Sequence, residues 1–230
     1  MQIEILQLTE GAKKAKGTTV VIDVFRAFST ACYLFAAGAE RIIPVEQVEG
    51  AFRLKEQIPG ALLLGERYEK KVEGFDFGNS PTHLLPHDFS GRTIIMTTSS
   101  GTRGLMNATG ADEILSGSFV NAGAIINYLK KKNPENISLV CMGYEGRTPT
   151  QEDTFLAEYI RAKIVGLPID FEQMKETLRM GDGARLLDPA NNEWSPATDF
   201  DLCLDLNKFD FVLKLIEENG LKVLKLAKEP

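Results

Sequence analysis

The chain is poor in the residues that build metal cages and covalent staples. It has three cysteines, Cys32, Cys141 and Cys203, scattered over 230 residues. They are too few and too far apart for a disulfide framework. Its two histidines, His83 and His87, exclude a His-rich metal centre. They stand four apart, like zinc ligands on one helical face, but Pro86 would break that helix. A metal site in this chain would be built from oxygen, which favours magnesium over zinc. No apolar run approaches the roughly 20 residues that a bilayer-spanning helix needs, so no membrane partner is expected. The start, Met1-Gln2-Ile3-Glu4-Ile5-Leu6, alternates like a strand and lacks the basic start and apolar core of a secretory signal. A cytoplasmic protein is the expectation. Basic runs are also scarce. Lys130-Lys131-Lys132 closes a helical segment, where cations complement the carbonyl end. With a net charge of -6, no basic stripe for nucleic acid is expected. No Pro- or Ser-rich linker and no fixed-period repeat divides the chain.

What the chain does have is alternation. Strands are expected over Ile3 to Leu8, Thr19 to Val24, Arg41 to Val45, Leu62 to Gly65, Thr93 to Thr97, Glu113 to Leu115, Ile137 to Met142, Leu202 to Leu206 and Lys222 to Leu226. Helices are expected over Ala27 to Gly38, Val48 to Gln57, Thr102 to Asn107, Val120 to Lys132, Thr150 to Val165, Phe171 to Leu178 and Lys208 to Glu218. This rhythm predicts a three-layer α/β/α fold with a mostly parallel or mixed central sheet. The whole chain, 1–230, reads as a single α/β domain, with two lobes around a cleft as the alternative. The stretch from Asp182 to Asp199 is the least regular.

Chemistry concentrates where strands hand over to helices, the usual place for sites in open α/β sheets. Asp23 interrupts an apolar run, with Arg26 at the next helix entry. The pair reads either as a metal-binding or nucleophilic acid beside an anion-gripping base, or as a structural ion pair. In Thr97-Thr98-Ser99-Ser100-Gly101-Thr102, hydroxyls cluster around a glycine that would let consecutive N–H groups point at one anion. It is not a Walker loop, because no Lys follows Gly101. Plain helix capping is the alternative reading. Glu152 and Asp153 open a helix, as dipole-complementing acids or as ligands for a hard divalent ion. Arg67 is a second candidate anion grip. Glu66 and Asp76 are spare ligands, and Asn79 and Ser80 lie in a glycine-punctuated loop. Cys141 and Arg147 have the spacing of a thiol-phosphatase loop. However, Glu145 would repel phosphate there, and Pro149 displaces the helix.

Several blocks occur in order: Val21-Ile22-Asp23-Val24-Phe25-Arg26-Ala27, Gly65-Glu66-Arg67, Gly74-Phe75-Asp76-Phe77-Gly78-Asn79-Ser80-Pro81, Thr97 to Thr102, Gly117-Ser118-Phe119-Val120-Asn121-Ala122, and Cys141-x-Gly-x-x-Gly followed by Glu152-Asp153. This series resembles the 2-phosphosulfolactate phosphatase family. The resemblance implies magnesium-dependent hydrolysis of 2-phosphosulfolactate to sulfolactate and phosphate, a step of the coenzyme M type. Such a substrate carries phosphate, sulfonate and carboxylate groups and needs several anion grips.

The expected assignment is therefore specific. Asp23 and Arg26 are catalytic. Arg26, Arg67, Asn79, Ser80, Ser99, Ser100, Gly101 and Thr102 bind substrate. Asp23, Asp76, Glu152 and Asp153 hold Mg²⁺, with Glu66 in reserve. Phe25 stands where a phosphoaspartate route usually shows a second Asp, so attack by water is the favoured route. A phosphatase for another small 2-phospho acid, a non-catalytic sensor of phosphorylated or sulfonated acids, and a thiol phosphatase using Cys141 are the alternatives. The expected partner is the small anionic substrate. A homodimer is left open.

Overall fold

Apolar runs that alternate with amphipathic stretches do become strands and helices. The computed structural model describes residues 1–228 and joins its strands in one ten-stranded mixed sheet. The strands are β1 (Gln2–Gln7), β2 (Gly17–Ile22), β3 (Arg41–Pro44), β4 (Leu62–Arg67), β5 (Lys70–Lys71), β6 (Thr93–Thr97), β7 (Ala111–Gly117), β8 (Asn136–Cys141), β9 (Leu213–Glu218) and β10 (Leu221–Leu226). The helices are α1 (Leu8–Lys14), α2 (Ala27–Ala36), α3 (Val48–Gln57), α4 (Pro81–Leu84), α5 (Gly101–Asn107), α6 (Ala122–Lys132), α7 (Gln151–Val165), α8 (Phe171–Met180), α9 (Ala184–Leu187) and α10 (Thr198–Cys203).

The strand order is β1-β8-β2-β7-β9-β10-β3-β6-β4-β5. β1, β8, β2 and β7 pair in parallel as one wing, and β3, β6 and β4 as the other. The β9–β10 hairpin bridges them through antiparallel pairs with β7 and β3.

Strand side chains alternate between faces, and the core follows that period. Val21 and Val140 from one wing join Ile42, Leu64 and Ile94 from the other in a single cluster around α2. The opposite faces are covered separately. Val20, Ile22 and Leu139 pack with Leu129 and Ile160 of α6 and α7, while Ile43, Leu63 and Ile95 pack with Ala51 of α3. Each such side chain contributes about 1.5–3 kcal/mol when fully buried. Both wings therefore wrap one inner helix layer, with an outer layer behind each. Sheet twist of roughly 20–25° per strand accumulates from β2 across to β4. This brings the carboxyl ends of strands from both wings to one region.

The tail departs from expectation. Leu202 to Leu206, expected as a strand, begins inside α10 and continues as a turn. Lys208 to Glu218, expected as a helix, contains β9. Phe209, Phe211, Leu213 and Leu215 alternate with period two, and Asn219 and Gly220 at φ 52 and 76 form the tight hairpin turn that such strands favour. At the other end, β1 stops at Gln7, because Leu8 swings to φ 66 and starts α1, which was not expected. Among the described residues, no helix is long and apolar enough to cross a membrane.

Candidate active site

Asp23 follows β2 directly and is 6% exposed. Its Oδ1 accepts the Ala27 N–H at 3.2 Å, and the Gly101 N–H also supports it. Glu66, near the end of β4, accepts the Ser99 N–H through Oε1 at 2.7 Å. Its Oε2 accepts the Glu69 N–H at 3.0 Å and the Ser99 hydroxyl at 3.1 Å. The expected phosphate cradle after β6 is thus partly satisfied by the protein itself. Ser99 serves Glu66, and Gly101 serves Asp23. Gly101 is needed for close approach: a Cβ there would lie 2.8 Å from Asp23 Oδ2 and 2.9 Å from Ala27 Cβ.

The other loop hydroxyls also hold the corner together. Ser100 Oγ donates to the Gly143 carbonyl at 2.7 Å and accepts the Gly146 N–H at 2.9 Å. Thr102 Oγ1 accepts the Thr98 N–H at 3.0 Å, and Thr98 Oγ1 accepts the Thr102 N–H at 3.2 Å. Thr102 is buried, and its hydroxyl also donates to the Thr98 carbonyl at 3.0 Å, so it holds the loop rather than facing a ligand.

The Glu152-Asp153 pair lies behind Asp23 and does not line its cavity. Asp153 clasps two strand ends, with Oδ1 accepting the Val24 N–H at 2.9 Å and Oδ2 the Gly143 N–H at 2.8 Å. Glu152 Oε1 accepts from Arg185 Nη2 at 2.9 Å, and its buried Oε2 has no partner. Arg185 also donates from Nε to Glu69 at 3.0 Å and from Nη1 to the Asp182 carbonyl at 2.5 Å. Its guanidinium lies 5.6 Å from the centre of the Phe25 ring. The charges of Glu152 and Glu69 outweigh burial and raise its pKa. Arg185 was not singled out in the sequence. The only signal was its place in the irregular Asp182 to Asp199 stretch, where binding groups often sit.

Arg26 follows a cis Phe25–Arg26 peptide and is held by protein. Nη1 donates to the Trp194 carbonyl at 2.7 Å and to Asp199 at 2.9 Å, and Nη2 donates to the Glu69 carbonyl at 3.1 Å. The structural ion pair is real, but its partner is Asp199 rather than Asp23. Ser80 Oγ donates to Asp199 Oδ1 at 2.9 Å, so Ser80 supports this pair instead of facing a ligand. Asn79 does line the cavity, with its Oδ1 buried and unpartnered.

The cavity gathers Asp23, Glu66, Asn79, Ser100, Arg26 and Arg185, and holds about 30 Å³ of water-accessible space. That volume suits an ion and a water, since a site needs about 10–15 Å³ for one water. Among the described residues, no cationic side chain forms an ion pair with Asp23 or Glu66. Burial, chiefly, and the neighbouring Glu66 and Glu152 charges push the Asp23 carboxyl up to about 7. Asp153 is likewise raised by burial and by the charge of Asp23.

Two expected site residues lie elsewhere. Asp76 does not line this cavity: its Oδ2 accepts the Leu63 N–H at 2.7 Å and pairs with Lys55 of α3 at 2.7 Å. Arg67 faces an adjoining cavity rather than this one. The thiol alternative also fails. Cys141 is fully buried, its thiol is pushed up by burial, and its Sγ donates to the Asp153 carbonyl at 3.4 Å.

A three-layer α/β protein with one carboxylate-walled cavity at its strand ends has the plan of a small-molecule enzyme. The sequence matches the model of the family described as 2-phosphosulpholactate phosphatase over residues 3–218, and the chain belongs to that family. It is 34% identical over 221 residues to a probable 2-phosphosulfolactate phosphatase of Caldanaerobacter subterraneus subsp. tengcongensis, covering 88% of each chain. A protein of the same description from Thermotoga petrophila is 40% identical over 73% of this chain and 66% of its own length. One from Carboxydothermus hydrogenoformans is 46% identical over 58% of this chain and 56% of its own.

Proposed function

We propose that this protein hydrolyses the phosphate ester of 2-phosphosulfolactate to sulfolactate and phosphate, with Mg²⁺ held at Asp23 and Glu66. Family membership makes it a phosphoric monoester hydrolase and supports that substrate. The magnesium reading is carried by one observation: of the four carboxylates that line the cavity, Glu69 and Glu145 face arginines, while Asp23 and Glu66 have no cationic side chain paired to them among the described residues. Arg26 and Arg185 also line the cavity, but they are already paired with Asp199 and with Glu69 and Glu152, so Asp23 and Glu66 would still repel a polyanionic ester unless a further cation stood between.

The donor set fits a hard ion. Asp23 and Glu66 offer carboxylate oxygens, and Asn79 Oδ1 lies unpartnered at the same cavity. Among the described residues, no group of three or more His, Cys, Asp or Glu is placed to hold a metal alone. Magnesium commonly binds in that way, through one or two carboxylates, water and phosphate oxygens. Bound there, it supplies charge neutralisation and a more acidic water.

The remaining work belongs to the chain. Arg185, fixed between Glu69 and Glu152, presents a permanent positive charge to the phosphate oxygens. Glu66 locks Ser99, and Ser100 locks Gly143, so the walls need little rearrangement when charge develops in the transition state. Arg26 anchors the corner that carries Asp23. The three cysteines are free and buried, which supports a reducing, cytoplasmic setting. The reaction would be a coenzyme M-type step.

The test is phosphate release from 2-phosphosulfolactate, assayed with Mg²⁺ and again with EDTA. Release that needs Mg²⁺ supports the reading. Release indifferent to EDTA refutes the metal, and binding without release in either condition favours a sensor.

A further inference from the structure

A second cavity of about 80 Å³ adjoins the first and shares Tyr68, Ser99 and Glu145 with it. Its other walls are Arg67, Arg103 and Arg147. Three guanidinium groups face one carboxylate, in a protein whose net charge is -6. Arg67 is fixed, donating from Nη1 to the Glu66 carbonyl at 2.6 Å and from Nη2 to the Glu46 carbonyl at 2.9 Å and to Thr97 Oγ1 at 2.8 Å. Arg103 is half-buried in the first turn of α5. Its side chain makes no hydrogen bond or ion pair among the described residues. Burial and the nearby Arg103 charge both lower the Arg67 pKa. Arg147 reaches Glu145 only at 3.9 Å.

Like charges held side by side cost free energy unless an anion lies between them. Guanidinium groups match planar or tetrahedral oxyanions with strong, directional hydrogen bonds. A water-accessible space of about 80 Å³ has room for such a group, given that one water needs about 10–15 Å³ on the same measure.

We propose that the Arg67–Arg103–Arg147 cavity binds a second oxyanion of the substrate, a sulfonate or carboxylate on the same carbon skeleton as the phosphate, and that Arg103 determines specificity there. This rests on the phosphatase reading above, because the two cavities adjoin through the shared wall of Tyr68, Ser99 and Glu145. Arg67 belongs to this second subsite rather than to the phosphate site.

The test compares wild type, Arg103→Gln and Arg103→Lys on three substrates: 2-phosphosulfolactate, 2-phospholactate (which lacks the sulfonate) and p-nitrophenyl phosphate (which lacks both extra anions). In Arg103→Gln, KM for 2-phosphosulfolactate should rise about tenfold or more, the loss of one charge-assisted contact. Its kcat should change little, Arg103→Lys should recover part of the loss, and p-nitrophenyl phosphate should be unaffected. An unchanged KM for 2-phospholactate identifies the sulfonate as the guest, and a raised one identifies the carboxylate. Equal effects on all three substrates, or none on any, overturn the proposal. Calorimetric titration of sulfolactate keeps the test independent of turnover. If wild type hydrolyses none of the three, the phosphatase reading fails, but a sulfolactate affinity lowered about tenfold in Arg103→Gln still supports the subsite. Equal affinities, or a wild type that binds no sulfolactate, overturn it.

Discussion

Arg26 and Asp199 form an ion pair at 2.9 Å between side chains that are 3% and 0% exposed. Asp199 also accepts from Ser80 and from the Thr82 N–H and hydroxyl, so a single carboxylate ties the corner after β2 to α4 and α10. Asp199→Asn would leave a buried guanidinium without its counter-ion, a change that typically destabilises by about 3–5 kcal/mol. Urea unfolding should show a much lower midpoint. An unchanged midpoint would return Arg26 to the role of a ligand grip.

Gly101 admits no side chain, since a Cβ would press on Asp23 Oδ2 and Ala27 Cβ. Gly101→Ala should destabilise by about 1–3 kcal/mol through overpacking. It should also move Asp23 and lower kcat about a hundredfold, the usual consequence of a misplacement near 1 Å. Steady-state kinetics and a thermal melt check both parts. Wild-type kcat in this variant would contradict the packing argument.

The metal-free protein should lose stability as pH rises from about 4 to about 7. The folded-state pKa of Asp23 lies at about 7, above the ordinary carboxyl value of 3.8. Between those values the folded state holds a proton that the unfolded chain releases, so the stability it lends falls with pH. The slope should be of the order of 1 kcal/mol per pH unit. Melts in EDTA across this range would show it, and added Mg²⁺ should flatten the curve by favouring the ionised form. A metal-free melting temperature that rises over the same interval would refute this electrostatic picture.

Cys141→Ser should keep Mg²⁺-dependent phosphate release. The thiol is buried, is bonded to the Asp153 carbonyl and does not line the cavity. The more polar hydroxyl should cost only about 1–3 kcal/mol of stability. A folded variant without turnover would revive thiol chemistry.

Most of the inner sheet was legible because its strands are continuous apolar runs, as in β2, β6 and β8. The tail departs from its pattern because Leu202, Leu204 and Leu206 imitate a strand, while the Asn219-Gly220 turn marks the β9–β10 hairpin. At the site, Asp23, Glu66, Ser99 and Ser100 are legible from their strand-end positions and Asn79 from its glycine-punctuated loop, and all line the cavity. What could not be read was who partners whom. The amides near Gly101 support Asp23 and Glu66, Asp153 clasps backbone, and Arg26 finds Asp199 across 173 residues of sequence. Such pairings depend on sheet curvature, which local pattern does not encode. Arg185 and Arg103 carried no motif at all.

The most direct measurement is phosphate release from 2-phosphosulfolactate by Asp23→Asn beside Asp76→Asn, with the Mg²⁺-induced thermal shift recorded for both. Asp23→Asn should fold, release no phosphate and show no shift, while Asp76→Asn keeps both activity and shift. Near-native release from Asp23→Asn would contradict the account.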